Sequence, residues 1–131
     1  MSAPFVLVCD DSRNIANSVV FMLQHAGYRA QAVFSALDCV GAARQDRPAL
    51  ILMDIMMPGM DGAMASELMK SYPELEGIPV LLLSAMAEEE VRTRAHEAGA
   101  VGYLCKPFRK EGLLDSVRHW LPDPHPASRS A

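Results

Sequence analysis

Five side chains in this 131-residue sequence could do chemistry together: Asp10, Asp11, Asp54, Ser84 and Lys106. They amount to three carboxylates, a hydroxyl and an ammonium. Carboxylates brought together repel one another, which makes at least one of them harder to ionise. A hard divalent cation offsets that repulsion. Mg2+ (or Mn2+) prefers oxygen ligands, and Mg2+ takes about six at roughly 2.0–2.1 Å, usually one or two carboxylates plus waters and phosphate. Asp54 can attack phosphorus and form an acyl phosphate, a known kind of covalent intermediate. The cation and Lys106 would offset charge on the equatorial phosphoryl oxygens, and Ser84 could donate a hydrogen bond to one of them. Each group also has a structural reading. Asp10 and Asp11 could cap a helix, and Ser84 could cap the helix that follows it. Capping needs only one aspartate, however, and explains neither Asp54 nor Lys106.

The elements that must position these groups are legible in the hydrophobic pattern. Phe5 to Cys9 is a continuous apolar run, the mark of a strand covered on both faces. Ala49 to Met53 and Ile78 to Leu83 read the same way, Ala100 to Cys105 reads as a fifth strand, and Tyr28 to Phe34 is more mixed and so nearer a sheet edge. Helical spacing follows each strand: Ile15, Val19, Met22, Leu23 and Ala26 after Ser12; Leu37, Val40 and Ala43 after Ser35, stopped by Pro48; about Ala63 to Tyr72; a helix opened by Glu88, Glu89 and Glu90 and closed by Gly99; and about Lys110 to Leu121, with Leu113, Leu114, Val117 and Leu121 on one stripe. Acidic residues suit a helix start, where free N–H groups point outward. Pro73 to Pro79 reads as a loop. Strands alternating with helices predict an α/β fold built from right-handed crossovers, a doubly wound five-stranded parallel sheet with helices on both faces. In strand order 2-1-3-4-5 (flavodoxin-like), Asp10, Asp11 and Asp54 meet at the carboxyl edge where ligands of such sheets bind, flanked by Ser84 and Lys106.

Composition excludes several classes. The formal net charge is -4, and a mildly acidic chain is a poor candidate for direct nucleic-acid binding, which calls for a basic patch or stripe. The apolar fraction of 50% and charged fraction of 21% fit one soluble domain with its own core. Cys9, Cys39 and Cys105 are too far apart for a zinc spacing or a disulfide framework, and read as buried free thiols in a reducing compartment. The start Met1-Ser2-Ala3-Pro4 lacks a secretory pattern, and no apolar run has membrane-spanning length, so a cytoplasmic location is expected. Residues 1–4 read as an extension, 5–121 as the domain, and 122–131, with proline at alternate positions at its start, as a tail or linker.

Four motifs then carry a resemblance: Asp10-Asp11; Asp54-Ile55-Met56-Met57-Pro58-Gly59-Met60-Asp61-Gly62; Leu83-Ser84-Ala85; and Lys106-Pro107-Phe108. Together, in this order at strand ends, they resemble the receiver (CheY-like) domains of two-component response regulators, from about Phe5 to Leu121. The resemblance implies that Asp54 is the phosphoacceptor, loaded by a sensor histidine kinase or phosphotransfer protein in the presence of Mg2+ or Mn2+. It implies Asp11 and Asp54 as direct metal ligands with the Met56 backbone carbonyl, and Asp10 acting mainly through metal-bound water. Ser84, Ala85, Lys106 and Tyr103 would form the phosphate-binding and switch group, and Lys106-Pro107 a cis peptide. The face made by the fourth helix, fifth strand and fifth helix, roughly Ala87 to Leu121, would be the output and homodimerisation surface, toward a fused or separate output domain.

Met56 departs from the family members that carry a polar residue there. A methionine cannot orient an attacking water, and with Met86 two residues past Ser84 it predicts slow to moderate loss of the aspartyl phosphate. Two other readings are weighed. A Mg-dependent aspartate-nucleophile phosphatase needs a second acid two positions after the nucleophile, where Met56 stands. A protein-binding pseudo-receiver that is not phosphorylated would not need the full acidic set and Lys106. The expectation is a signalling phosphoacceptor rather than a turnover enzyme. Kinase, signal, output and a stand-alone or excised origin stay open.

Overall fold

The computed structural model describes residues 4–57 and 62–121. The Pro58-Gly59-Met60-Asp61 turn, the first three residues of the extension and the 122–131 tail lie outside the described residues. Elements alternate along the chain: β1 (Phe5–Cys9), α1 (Arg13–His25), β2 (Arg29–Val33), α2 (Ala36–Gln45), β3 (Leu50–Asp54), α3 (Gly62–Met69), β4 (Val80–Ser84), α4 (Glu88–Ala98), β5 (Gly102–Cys105) and α5 (Lys110–Trp120). All strands pair in parallel, in the order β2-β1-β3-β4-β5. This is the doubly wound fold that the pattern predicts.

The strand pleat divides the core in two. Val6, Val8, Leu50, Leu52, Leu81 and Leu83 face one side and pack with residues of α1 and α5, including Val19, Leu23, Leu113 and Val117. Leu7, Cys9, Ile51, Met53 and Leu82 face the other and pack with residues of α2, α3 and α4, such as Val40, Ala65 and Val91. Alternate residues therefore serve opposite cores. Because both faces are covered, β1, β3 and β4 are buried at every position. The edge strands differ: β2 exposes Arg29 and Gln31, and all of β5 is half-buried.

Local signals agree with the helix starts. The Ser12 hydroxyl accepts the Ile15 N–H at 3.4 Å, and the Ser35 hydroxyl accepts the Asp38 N–H at 3.1 Å, both side-chain N-caps. Gly99 closes α4 in the left-handed region at φ 72°.

Four expectations need correction. On α1 the buried stripe is Ala16, Val19 and Leu23, while Ile15 is exposed and Met22 half-buried. Ile15 sits one residue, about 100° of helical rotation, from Ala16. Leu37 on α2 points outward, and Ala36, Cys39, Val40 and Ala43 face the core. Helix α3 ends at Met69 rather than Tyr72; Lys70, Ser71 and Tyr72 donate to carbonyls three residues back, a tightened turn leading into a short 3-10 helix, Pro73–Leu75, within the expected loop. Cys105 is half-buried because it lies on an edge strand, whereas Cys9 and Cys39 are buried.

Candidate functional site

The carboxyl edge of the sheet gathers the predicted groups by backbone register alone. Cys9 is aligned with Met53, Asp54 with Leu83, and Ser84 with Cys105. Asp10, Asp54, Ser84 and Lys106 therefore end or follow four adjacent strands at nearly one level. Among the described residues, the buried polar or charged side chains are Asp10, Asp54 and Ser84. An apolar fold does not bury such groups without a compensating partner, and each has one here.

Lys106 Nζ donates to Asp10 Oδ2 at 2.7 Å and lies 3.6 Å from Asp54 Oδ2. The Ser12 N–H donates to Asp10 Oδ1 at 3.0 Å, and the Met56 N–H to Asp54 Oδ1 at 3.1 Å. The Met86 N–H donates to Ser84 Oγ at 2.9 Å, which leaves the hydroxyl hydrogen able to donate elsewhere. Ser12, not an aspartate, caps α1, so helix capping does not account for the acidic pair. Lys106 is further placed by its own N–H, which donates to the Ser84 carbonyl at 2.6 Å; the Lys106–Pro107 peptide is cis.

Asp10, Asp11 and Asp54 each offer a carboxylate oxygen, all within 4.8 Å of one another. Asp11 is the exposed member. Burial pushes the Asp54 carboxyl up to about 6 from its ordinary 3.8. The Met56 N–H and the Lys106 ammonium pull it back down, while neighbouring Asp10 adds to the rise. Desolvation thus outweighs the Lys106 attraction despite the close pair. The donor set fits a hard divalent cation. Three carboxylates face one ammonium, and the charge left over matches one such ion. Cys9 runs beneath this edge. Its thiol donates to the Ser35 carbonyl at 3.3 Å and contacts Met57 Sδ at 3.6 Å, and its ionisation is pushed up by the Cys39 contact and by burial.

Tyr103 lies on β5, away from the acidic cluster. Arg92 Nε donates to its hydroxyl at 3.2 Å, and the hydroxyl donates to Glu88 Oε2 at 3.4 Å, so the ring is turned toward α4. Ala85 and Met56 are exposed, the latter 57%, and Met86 is half-buried. The sequence reading missed two features. The backbone N–H groups of Ser12, Met56 and Met86 hold the site, which residue types do not reveal. An apolar groove of about 510 Å³ also borders Lys106, lined by Ile15, Met22, Ala85, Pro107 and Phe108. Residue types did not signal it: Ile15 reads as part of the helical stripe of α1, and only the packing places it in the groove.

Comparison with known proteins agrees with this geometry. The family model for the response regulator receiver domain matches residues 6–118. RpaA of Synechocystis sp., a DNA-binding dual master transcriptional regulator, is 33% identical over 118 residues, 90% of this chain and 49% of RpaA. Protein PilH of Pseudomonas aeruginosa is 32% identical over 112 residues, 86% of this chain and 93% of PilH. The chain therefore spans about half the length of RpaA and nearly all of PilH. The structure of Vibrio cholerae chemotaxis protein CheY4 superimposes with a TM-score of 0.86 at 29% identity, covering 92% of this chain and 100% of CheY4. The receiver domain of the P. aeruginosa sensor histidine kinase PA1611, which has a magnesium ion coordinated in its active site cleft, gives 0.82 at 28% identity over 91% of this chain and 98% of that one. By its motifs, its sheet order and these matches, the chain belongs to the family of response regulator receiver domains.

Proposed function

We propose that this receiver domain stores a phosphoryl group on Asp54 and uses it to switch a protein-interaction surface. The observation that carries the reading is the placement of Asp54: a nearly buried carboxylate, 3.6 Å from Lys106 and within 4.8 Å of two further carboxylates. Asp10, Asp11 and Asp54, with the Met56 backbone carbonyl, would hold Mg2+ or Mn2+, Asp10 mainly through water. The ion supplies charge neutralisation for the incoming phosphoryl oxygens.

The chain's own groups do the rest. An Asp54 oxygen attacks phosphorus, and the donor's bond to phosphorus breaks as the acyl phosphate forms. The donor is a sensor histidine kinase or phosphotransfer protein, or a small acyl phosphate. The apolar groove beside Lys106 suits a donor protein's helix, since it brings an apolar contact surface alongside the acceptor. Lys106 then shifts its pairing from Asp10 toward the new oxygens. Ser84 has a free hydroxyl hydrogen but is fully buried, so it reaches the phosphoryl group only if the Ala85–Met86 segment moves. Tyr103, Glu88 and Arg92 lie on the face of α4, β5 and α5, where that movement would be read by an output domain, fused or separate, or by a second copy of the chain.

Met56 and Met86 offer no polar group to orient a hydrolytic water, which supports slow to moderate loss of the phosphoryl group. Met56→Asn or Met56→Glu is expected to alter that rate while leaving labelling intact. The direct test is incubation with acetyl phosphate and Mg2+. The wild type should gain one phosphoryl group by intact mass, and Asp54→Asn should gain none. Absence of label in the folded wild type would leave a protein-binding module without phosphorylation.

A further inference from the structure

Methionine sulfur is oxidised where solvent reaches it. Among the described methionines, Met53, Met57 and Met69 are buried and Met22 and Met86 half-buried. Met56 and Met64 differ, at 57% and 53% exposure. Met64 lies on α3, with no part in the acidic site. Met56 directly adjoins it: its backbone N–H holds the Asp54 carboxylate at 3.1 Å. Its neighbour Met57 turns inward and packs its sulfur against Cys9 at 3.6 Å, so the two adjacent thioethers meet opposite environments.

We infer that Met56 is a modification site for peroxides, and that its conversion to the sulfoxide shortens the life of the phosphoryl group on Asp54. The inference rests on Asp54 being the phosphoacceptor. In the oxidation, the Met56 sulfur attacks one peroxide oxygen. An S–O bond forms and the O–O bond breaks; the departing hydroxide takes the proton carried by the oxygen now on sulfur, directly or through solvent, which leaves the sulfoxide and water. Sulfur loses two electrons and the peroxide gains them. An apolar thioether becomes a strong hydrogen-bond acceptor two residues from the acyl phosphate. A water bound to that oxygen is held beside the phosphorus. Its attack breaks the bond between phosphorus and the Asp54 oxygen, releasing inorganic phosphate and the carboxylate. Reduction of the sulfoxide restores the slow state, so the modification is reversible in principle.

The full chain with Mg2+ is treated with hydrogen peroxide, freed of oxidant, mapped by peptide mass spectrometry and then labelled with acetyl phosphate. Met56 and Met64 should convert before Met53, Met57 and Met69. The half-life of the label should fall by about threefold or more, less than the roughly 100-fold that a full general base supplies. The fall should disappear in Met56→Leu, persist in Met64→Leu, and reverse on treatment with methionine sulfoxide reductases. A sulfoxide at Met56 with an unchanged half-life overturns the inference. So does a peroxide effect that survives in Met56→Leu, or a Met56 that stays reduced while Met64 converts. Failure of untreated protein to take label overturns the phosphoacceptor reading instead, and this inference with it.

Discussion

Asp54→Asn gives the sharpest test of the site's energetics, because it changes charge with little change in shape. In the metal-free protein, burial lifts the Asp54 carboxyl from 3.8 to about 6. At roughly 1.4 kcal/mol per pH unit, that rise corresponds to about 3 kcal/mol. The sign follows from linkage. Between the two values the folded state binds more protons than the unfolded state, so stability falls as pH rises through that window. The full contribution is present below 3.8 and is lost above about 6. Asparagine stays neutral throughout. It keeps an oxygen for the Met56 N–H and gives up only the anion that Lys106 faces at 3.6 Å. Relaxation and water entry reduce the full figure, so the variant should be more stable than wild type by about 1–3 kcal/mol near pH 8 in chelator. A gain of about 2 kcal/mol would raise Tm by roughly 8 °C. Urea unfolding and thermal melts, each at about pH 8 and about pH 4, measure it; the difference should shrink at the lower pH. Saturating Mg2+ should reverse the order by stabilising wild type more than the variant. A variant no more stable than wild type in chelator near pH 8, or a gain independent of pH, would refute the claim that desolvation dominates at this carboxylate.

Other substitutions probe separate parts of the same structure. Lys106→Ala removes the partner of a fully buried Asp10 and should cost about 3 kcal/mol in urea unfolding without metal, with Mg2+ restoring part of the loss. Asp11→Asn alters an exposed carboxylate, so the metal-free fold should keep its stability within about 0.5 kcal/mol. Its Mg2+-induced rise in Tm should be clearly smaller than that of wild type. Gly99→Ala places a side chain at φ 72° and drives its Cβ into Lys70 Nζ; thermal melts should show a loss of about 1–2 kcal/mol. An unchanged melt would mean that the end of α4 rearranges freely.

Much of the fold was readable because a parallel sheet covered on both faces imposes a simple pattern. Val6 to Val8 and Leu50 to Met53 have no solvent-facing side, so they must be apolar throughout. Ser12, Ser35 and Gly99 mark helix ends through local hydrogen bonding and backbone conformation, which neighbouring residues determine. Ile15 and Leu37 misled because an apolar residue adds to a helical pattern whichever way it points; only the packed neighbours distinguish a core position from a groove or the surface. Cys105 misled because its type favours burial, although the predicted strand order already puts its strand at an edge, where one side lacks a neighbour.

The order of elements and the chemical types at four strand ends, two aspartates, a third, a serine and a lysine, stand in the primary structure. Those are local facts, written as residue type after apolar run. What these groups are to each other is set by the packed fold. Parallel register brings Asp10 and Lys106, ninety-six positions apart, to 2.7 Å. Burial at that edge makes the Asp54 carboxyl hard to ionise against the pull of Lys106. The same packing turns Met57 into the core and leaves Met56 in solvent. Desolvation and distance belong to the folded surroundings, so neither is written in the spacing of the residues that feel them.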